Sequence, residues 1–140
     1  MNQHLIFIPM LSHMVLVFIL YIRLGIEKSK AVNAGSADLE KTALNTKAWP
    51  QHVVKVSNNI GNQFETPMMF YILSVVLCVT NSVNVVVLSL MSIYVLSRYI
   101  HAYIHVTTNY VPHRFKVFLA GVLILLGLVI WQLFKLVISI

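Results

Sequence analysis

Two groups of polar side chains lie in stretches of the chain that are otherwise apolar. The first group is Asn58, Asn62 and Glu65, whose i, i+4, i+7 spacing places them on one face of a continuous helix. The second group repeats on one helical face in the same way and consists of Tyr94, Arg98, His101 and His105. Amides, a carboxylate, a guanidinium and imidazoles together can bind an anionic ligand that also forms hydrogen bonds. The two groups therefore predict a polar binding cavity.

The spacing of the two groups from a shared turn predicts how they meet. Residues 81–84 form the polar hairpin between them, and Glu65 and Arg98 each lie about 25 Å from it at about 1.5 Å per residue. Antiparallel helices would thus bring Glu65 opposite Arg98, with the remaining pairs Asn62–His101 and Asn58–His105 at matching levels. These three pairs have two interpretations. They could be structural bonds that hold the helices together, or they could line a functional cavity, in which case Arg114 and Lys116 would add positive charge at its mouth.

Other reactive residue types give weaker signals. His101 and His105 have the i, i+4 spacing of a helical metal pair, but no third ligand stands in register, so we predict no metal site. His13 lies in the middle of an apolar stretch and is expected to form a hydrogen bond between helices rather than to act in catalysis. Cys78 is the only cysteine, which excludes an intrachain disulfide and makes a packing role the expectation.

These side chains need a scaffold of apolar helices. Hydrophobic residues make up 59% of the 140 residues, charged residues only 10%, and the mean hydropathy is +0.83, whereas soluble domains carry about 25% charged residues. A helix needs about 20 apolar residues to cross a bilayer. Stretches of that kind lie at about 5–24, 64–80, 84–104 and 115–138. We therefore predict one all-α domain, a four-helix bundle in a lipid bilayer, with a hydrophilic loop over 25–63.

The basic residues indicate how the bundle is oriented. Nine of the ten Lys and Arg, all but Lys135, lie at or near the connections 25–63 and 105–115. Because Lys and Arg accumulate in cytoplasmic loops, both connections are predicted to be cytoplasmic and both termini outside. The net charge of +6 is distributed at the edges of apolar runs, without a patch of interleaved basic and aromatic residues, so nucleic-acid binding is not expected.

The same polar residues resemble the motifs of the MAPEG family, the membrane-associated proteins of eicosanoid and glutathione metabolism. The segment Asn62–Glu65, followed by Pro67, is similar to the Asn-x-x-Glu signature of the family's second helix. A second segment, from Arg98 to Arg114, is similar without a gap to the third-helix region of the family's microsomal prostaglandin E synthases. The residues that fall in register there are Arg98, His101, Pro112 and Arg114. The resemblance covers the whole chain.

The resemblance implies a homotrimer of four-helix subunits that binds glutathione between subunits near the cytoplasmic side. It also implies conjugation, peroxide reduction or isomerisation of lipophilic small-molecule substrates. Carried over residue by residue, it places Asn62 and Glu65 against the glutathione backbone and Arg114 beside the sulfur, where a guanidinium favours the thiolate. Arg98 and His101 would line the same site by this resemblance. Asn58 and His105, which belong to the two polar groups, are candidate glutathione-binding residues as well.

The chain departs from the family pattern at two of these positions. Glutathione-using members carry an arginine one helical turn before the signature asparagine, where this chain has Asn58, and a tyrosine where it has His105; Lys55 is the nearest cation upstream. Two functions therefore stay open: a glutathione-dependent transferase or peroxidase, and a non-catalytic member of the same fold that binds a lipid or a partner protein. A small transporter or channel is less favoured, because no inverted repeat is visible.

Overall fold

Helices make up nearly all of the computed structural model, which describes residues 1–138. The α-helices are α1 (Phe7–Asn33), α2 (Leu39–Leu44), α3 (Gln51–Asn62), α4 (Thr66–Val79), α5 (Val85–Val106) and α6 (Val111–Ile138). Four helical segments are long and apolar enough to cross a membrane: α1 with the turn before it, α3 joined to α4, α5, and α6. No strand occurs within residues 1–138. The predicted all-α membrane bundle is confirmed.

Three helices, α1, α5 and α6, extend beyond the predicted spans, because hydropathy does not mark the polar ends of a helix, whereas α4 lies within the predicted span 64–80. The first helix continues past residue 24 to Asn33, where its polar end carries an ion pair of 3.0 Å between Lys30 and Glu27. Much of the predicted 25–63 loop is likewise helical, since α3 occupies about its last third. Pro112 lies in the first turn of α6, a position that needs no amide hydrogen.

A break separates α3 from α4 at residues 63–65. Pro67 lies in the first turn of α4, and a proline has no N–H group and its ring collides with the carbonyl four residues earlier, here that of Gln63. The chain turns at Glu65, which has φ −85° and ψ −96°. The spacing of Asn58, Asn62 and Glu65 predicted one continuous helix. The break shows that Glu65 does not belong to the helix that carries Asn58 and Asn62.

Close packing inside the bundle centres on Tyr94 of α5. Its ring stacks on Phe70 of α4 with the ring centroids 4.9 Å apart. On its other side, Gly121 of α6 comes so close that an added Cβ would lie 2.9 Å from Ser97 Oγ and 3.4 Å from the Tyr94 ring. Small residues at such crossings let membrane helices approach closely.

Large apolar side chains cover the outside of the bundle, among them Phe18, Ile22, Val79 and Phe134.

Hydrogen bonds identify the elements that meet at one end of the bundle, here named the hairpin end. The Gln3 side chain accepts a hydrogen bond of 2.8 Å from the Val83 N–H and donates one of 3.3 Å to the Val83 carbonyl. Lys135, near the end of α6, donates to Ser82 Oγ at 2.8 Å. The N-terminus, the α4–α5 turn and the end of α6 thus lie together. The opposite end, the basic end, carries the α1–α3 and α5–α6 connections.

Candidate functional site

A polar cavity of about 610 Å³ opens at the basic end. Its wall comes from α3, the turn that precedes α4, the last turn of α5 and the first turn of α6. The charged and hydrogen-bonding side chains that characterise it are Lys55, Asn58, Asn62, Glu65, His105 and Arg114. The fold thus brings Asn58, Asn62, Glu65, His105 and Arg114 together, as the sequence predicted. The remaining predicted site residues, Arg98 and His101, do not line this cavity.

Within residues 1–138, the charges in the polar cavity have no partners of opposite sign at ion-pair distance. Among the residues that the structure describes, ion pairs form at Glu27 and Asp38, and none joins Lys55, Glu65 or Arg114 to another charge. The Arg114 Nη1 instead donates a hydrogen bond of 2.6 Å to Asn109 Oδ1. The cavity therefore presents two cations and one carboxylate to whatever enters it.

A smaller cleft, the side cleft, adjoins the polar cavity and measures about 200 Å³. It shares three residues with the cavity, Asn62, Glu65 and Arg114, and is completed by His101, Val111, Phe115 and Phe118. Val111 and Phe115 are more than half exposed on the outer surface of α6. The side cleft thus connects the polar cavity with an apolar surface, and Arg114 stands at the boundary.

The two histidines of α5 each have one buried ring nitrogen that bonds to none of the residues described by the structure. His101 Nδ1 lies 3.2 Å from the carbonyl oxygen of Arg114, and because a carbonyl only accepts, Nδ1 carries the proton. His101 Nε2 and His105 Nδ1 are buried and find no hydrogen-bond partner within residues 1–138. Unpartnered buried polar atoms are rare in folded proteins and are often satisfied by a ligand or water.

Arg98 is the most buried of the predicted site residues, with 1% of its surface exposed. Its Nε and Nη2 each donate to Gln63 Oε1 at 3.3 Å, and Nη2 also donates to the Asn62 carbonyl at 2.8 Å. The prediction of an ion pair between Glu65 and Arg98 is wrong, because the two side chains do not come within 4.0 Å of each other. The break after α3 turns Gln63 inward to the guanidinium and leaves Glu65 on the exposed side of the turn, lining the polar cavity.

The Gln63 amide belongs to a buried polar network that the sequence reasoning missed. Besides Arg98, Gln63 Oε1 bonds to His13 Nε2 at 3.2 Å, and the Gln63 amide donates to Asn59 Oδ1 at 3.0 Å. Asn59 in turn donates to the Ala102 carbonyl at 3.1 Å. An amide oxygen only accepts, so His13 Nε2 is protonated and Nδ1 accepts from the Tyr71 hydroxyl at 2.6 Å. The expected role of His13 as a bond between helices is confirmed.

Comparison with known proteins agrees with the residue-level resemblance. The family described as the MAPEG family matches residues 6–134, a range that covers most of each of the four membrane segments and every residue of the polar cavity. No curated protein and no solved structure matches the chain. A match of that extent establishes the family, and the chain therefore belongs to the MAPEG family, the integral membrane proteins of eicosanoid and glutathione metabolism.

Proposed function

We propose that the chain is a membrane-bound, glutathione-dependent transferase or peroxidase that acts on lipophilic electrophiles or hydroperoxides. The observation that carries this proposal is the polar cavity, which gathers Asn62, Glu65 and Arg114 from three separate elements. These are the positions to which the family resemblance assigns glutathione binding and thiolate stabilisation. The side cleft adds a neighbouring apolar space for the second substrate.

The charges of the polar cavity complement those of glutathione. The tripeptide carries two carboxylates and one ammonium group, and its reactive form adds a thiolate. In the proposed complex, Glu65 binds the ammonium group, Lys55 and Arg114 face the negative groups, and the amides of Asn58 and Asn62 bind the peptide groups. Hydrogen bonds in which one partner is charged are about twice as strong as neutral ones, so this arrangement favours the zwitterionic ligand.

Arg114 is the residue proposed to act on the sulfur. Its guanidinium lowers the free energy of the thiolate relative to the thiol, and the proton released passes to water in the open cavity. The thiolate then attacks the co-substrate held in the side cleft. In conjugation a sulfur–carbon bond forms. In a substitution the leaving group departs with its bonding electron pair, and in an addition the displaced π electrons move onto the acceptor, which takes a proton from water. In peroxide reduction a sulfur–oxygen bond forms, the oxygen–oxygen bond breaks, and the alkoxide takes a proton from water.

The assembly and the orientation follow from the same proposal. Glutathione is water-soluble, so the polar cavity must open towards an aqueous compartment, and the concentration of Lys and Arg at the basic end favours the cytoplasm. Both termini then lie outside. Three copies of the chain would form the homotrimer that the family resemblance implies, with the bilayer around them.

One alternative keeps the fold without the chemistry. Asn58 and His105, the two departures from the glutathione-using pattern, favour a non-catalytic protein that binds a lipid or a partner protein. A titration of glutathione onto detergent-purified protein separates the two functions. We expect saturable thermal stabilisation and an ultraviolet thiolate signal at neutral pH. If millimolar glutathione produces neither, the enzymatic function is refuted and the non-catalytic alternative stands.

A further inference from the structure

A groove of about 510 Å³, here named the outer groove, lies between α5 and α6 and shares no residue with the polar cavity or the side cleft. Its lining is apolar except for Asn84 and the indole N–H of Trp131. Val87 and Leu128 are buried at its floor. Gly127 leaves that floor open, since an added Cβ there would meet nothing within 4 Å.

The length of the outer groove matches one leaflet of a bilayer. Its α6 wall runs from Leu123 to Trp131, eight positions or about 12 Å at helical rise, and the hydrocarbon of one leaflet is about 15 Å thick. Asn84 of the polar hairpin turn and Trp131 lie at one end of the groove. Indole rings favour the headgroup level of a membrane. A single acyl chain that enters beside Trp131 therefore fits the groove along its length.

A cation without a counter-ion lies beside this entrance. Lys135 Nζ is 5.7 Å from the centre of the Trp131 ring and donates a hydrogen bond of 2.8 Å to Ser82 Oγ. Within residues 1–138, no carboxylate lies within 4.0 Å of this ammonium group. An ammonium group has three donors. Lys135 can therefore bind an anion while it keeps its bond to Ser82.

The distribution of acidic residues decides which kind of anion this is. All four Asp and Glu side chains lie towards the basic end, and these are Glu27, Asp38, Glu40 and Glu65. A second copy of the chain, packed alongside in the same orientation, thus offers Lys135 no carboxylate side chain. A lipid phosphate, in contrast, lies at the headgroup level beside the entrance, with its acyl chains in the hydrocarbon next to the groove.

We propose that the outer groove is a binding site for an anionic phospholipid, with one acyl chain between α5 and α6 and the phosphate at Lys135. The ring of Trp131 packs against the part of the chain nearest the headgroup. Because Lys135 also holds Ser82, the bound lipid joins α6 to the turn between α4 and α5. This site is independent of the polar cavity and of the chemistry proposed for it.

Fluorescence quenching by lipids with brominated acyl chains tests the site. The chain has two tryptophans, so a Trp49→Phe background leaves Trp131 as the only one. The protein is reconstituted into phosphatidylcholine vesicles that contain increasing fractions of brominated phosphatidylglycerol or, in parallel, of brominated phosphatidylcholine. The anionic lipid should reach half-maximal quenching at about a fivefold lower fraction, the factor expected for one lysine near an anionic surface.

Variants of Lys135 test the headgroup, and a variant of Gly127 tests the acyl chain. Lys135→Met should remove the difference between the two lipids, and Lys135→Arg should retain it. Lys116→Met is the matched control, because Lys116 is exposed on the same helix at its opposite end. Gly127→Leu fills the groove from its floor and should weaken quenching by both lipids. It should leave thermal unfolding in detergent unchanged, since the new side chain enters open space.

Three results would overturn the proposal. Equal quenching by the two lipids in the Trp49→Phe protein, or a preference that survives Lys135→Met, shows that Lys135 does not bind the headgroup. Unchanged quenching in Gly127→Leu shows that no acyl chain occupies the groove. If neither lipid quenches Trp131, a second copy of the chain covers the groove instead. None of these results bears on glutathione binding in the polar cavity.

Discussion

The guanidinium of Arg98 is held by a neutral partner, the side-chain oxygen of Gln63, to which it donates two hydrogen bonds of 3.3 Å each. No carboxylate lies within ion-pair distance of Arg98 in the part of the chain that the structure describes. A charge buried at membrane depth is expensive unless its donors are satisfied. Gln63 therefore stabilises the buried guanidinium through its side-chain oxygen, and it links α5 to His13 of α1 as well.

Removal of the Gln63 amide should destabilise the bundle strongly. Gln63→Met keeps the volume of the side chain but removes the acceptor of two Arg98 hydrogen bonds, while the bond to the Asn62 carbonyl remains. We expect the free energy of unfolding to fall by about 1.5–3 kcal/mol, the range for hydrogen bonds to charged groups. Thermal unfolding in detergent measures the change. Glu65→Gln is the control, because Glu65 makes no ion pair, and it should change stability by less than about 0.5 kcal/mol.

A double-mutant cycle locates the true partner of Arg98. Gln63→Met and Arg98→Met should be strongly non-additive, with a coupling of about 0.5–3 kcal/mol. Glu65→Gln and Arg98→Met should be additive to within about 0.5 kcal/mol. A larger coupling to Glu65 than to Gln63 would contradict the hydrogen-bond arrangement described above.

Two glycines of α6 should respond oppositely to the same substitution. Gly121→Ala places a Cβ 2.9 Å from Ser97 Oγ. Either the Ser97 hydroxyl must leave its bond to the Tyr94 carbonyl or α5 and α6 must separate, and we expect a loss of about 1–3 kcal/mol. A Cβ at Gly127 meets nothing within 4 Å. Gly127→Ala should therefore be neutral or stabilise by up to about 1 kcal/mol through helix propensity. Equal effects of the two substitutions on thermal unfolding would argue against the close α5–α6 crossing.

Arg114 and Asn62 should differ in the kind of defect that they cause. Arg114→Ala should abolish the thiolate signal near neutral pH while much of the glutathione affinity remains, since each unit of change in the thiol pKa corresponds to about 1.4 kcal/mol. Asn62→Ala should weaken affinity and reduce turnover only at subsaturating glutathione, the pattern of uniform binding. Both substitutions keep the bonds that His101 and Arg98 make to the backbone carbonyls of these two residues. Arg114→Ala also removes the bond to Asn109, so its thermal stability is measured beside its activity. Identical defects would show that Arg114 only binds the ligand.

Topology is tested by labelling single cysteines in a Cys78→Ala background. Asn2 lies at the hairpin end, whereas Leu44 is 96% exposed in the connection at the basic end. A membrane-impermeant thiol reagent added outside should label Asn2→Cys and leave Leu44→Cys unmodified. Labelling of position 44 from outside would reverse the proposed orientation, and the polar cavity would then open to the exterior.

The membrane bundle was predictable because hydropathy and proline act locally. The apolar stretches marked the spans, and the polar cluster at Asn81–Asn84 marked the turn, where Asn84 caps α5 by accepting a hydrogen bond of 3.0 Å from Val87 N–H. The polar cavity was also predicted in outline, since periodicity placed Asn62 and His105 on inward faces. These features depend on sequence neighbours alone.

The partner of Arg98 was not predictable from the same periodicity. Helical spacing selected Glu65 over Gln63, because a continuous helix and opposite charges both favour that pairing. The structure breaks the helix at the site where the Gln63 carbonyl would meet Pro67, and the break changes which side chain points inward. Pro67 was the available signal. A proline predicts that the helix breaks. Which side chain faces inward after the break, however, depends on tertiary packing.

The bond between Gln3 and Val83 has a consequence for how the chain is assembled. The two residues are 80 positions apart, and a chain leaves the ribosome with its N-terminus first. The hydrogen bonds of Gln3 can therefore form only after the first two membrane segments have been synthesised and the hairpin has reached the same side of the bilayer. The N-terminal turn can bind the hairpin only after that step. The Gln3–Val83 bonds therefore form only in a chain whose first two membrane segments have inserted in the correct orientation.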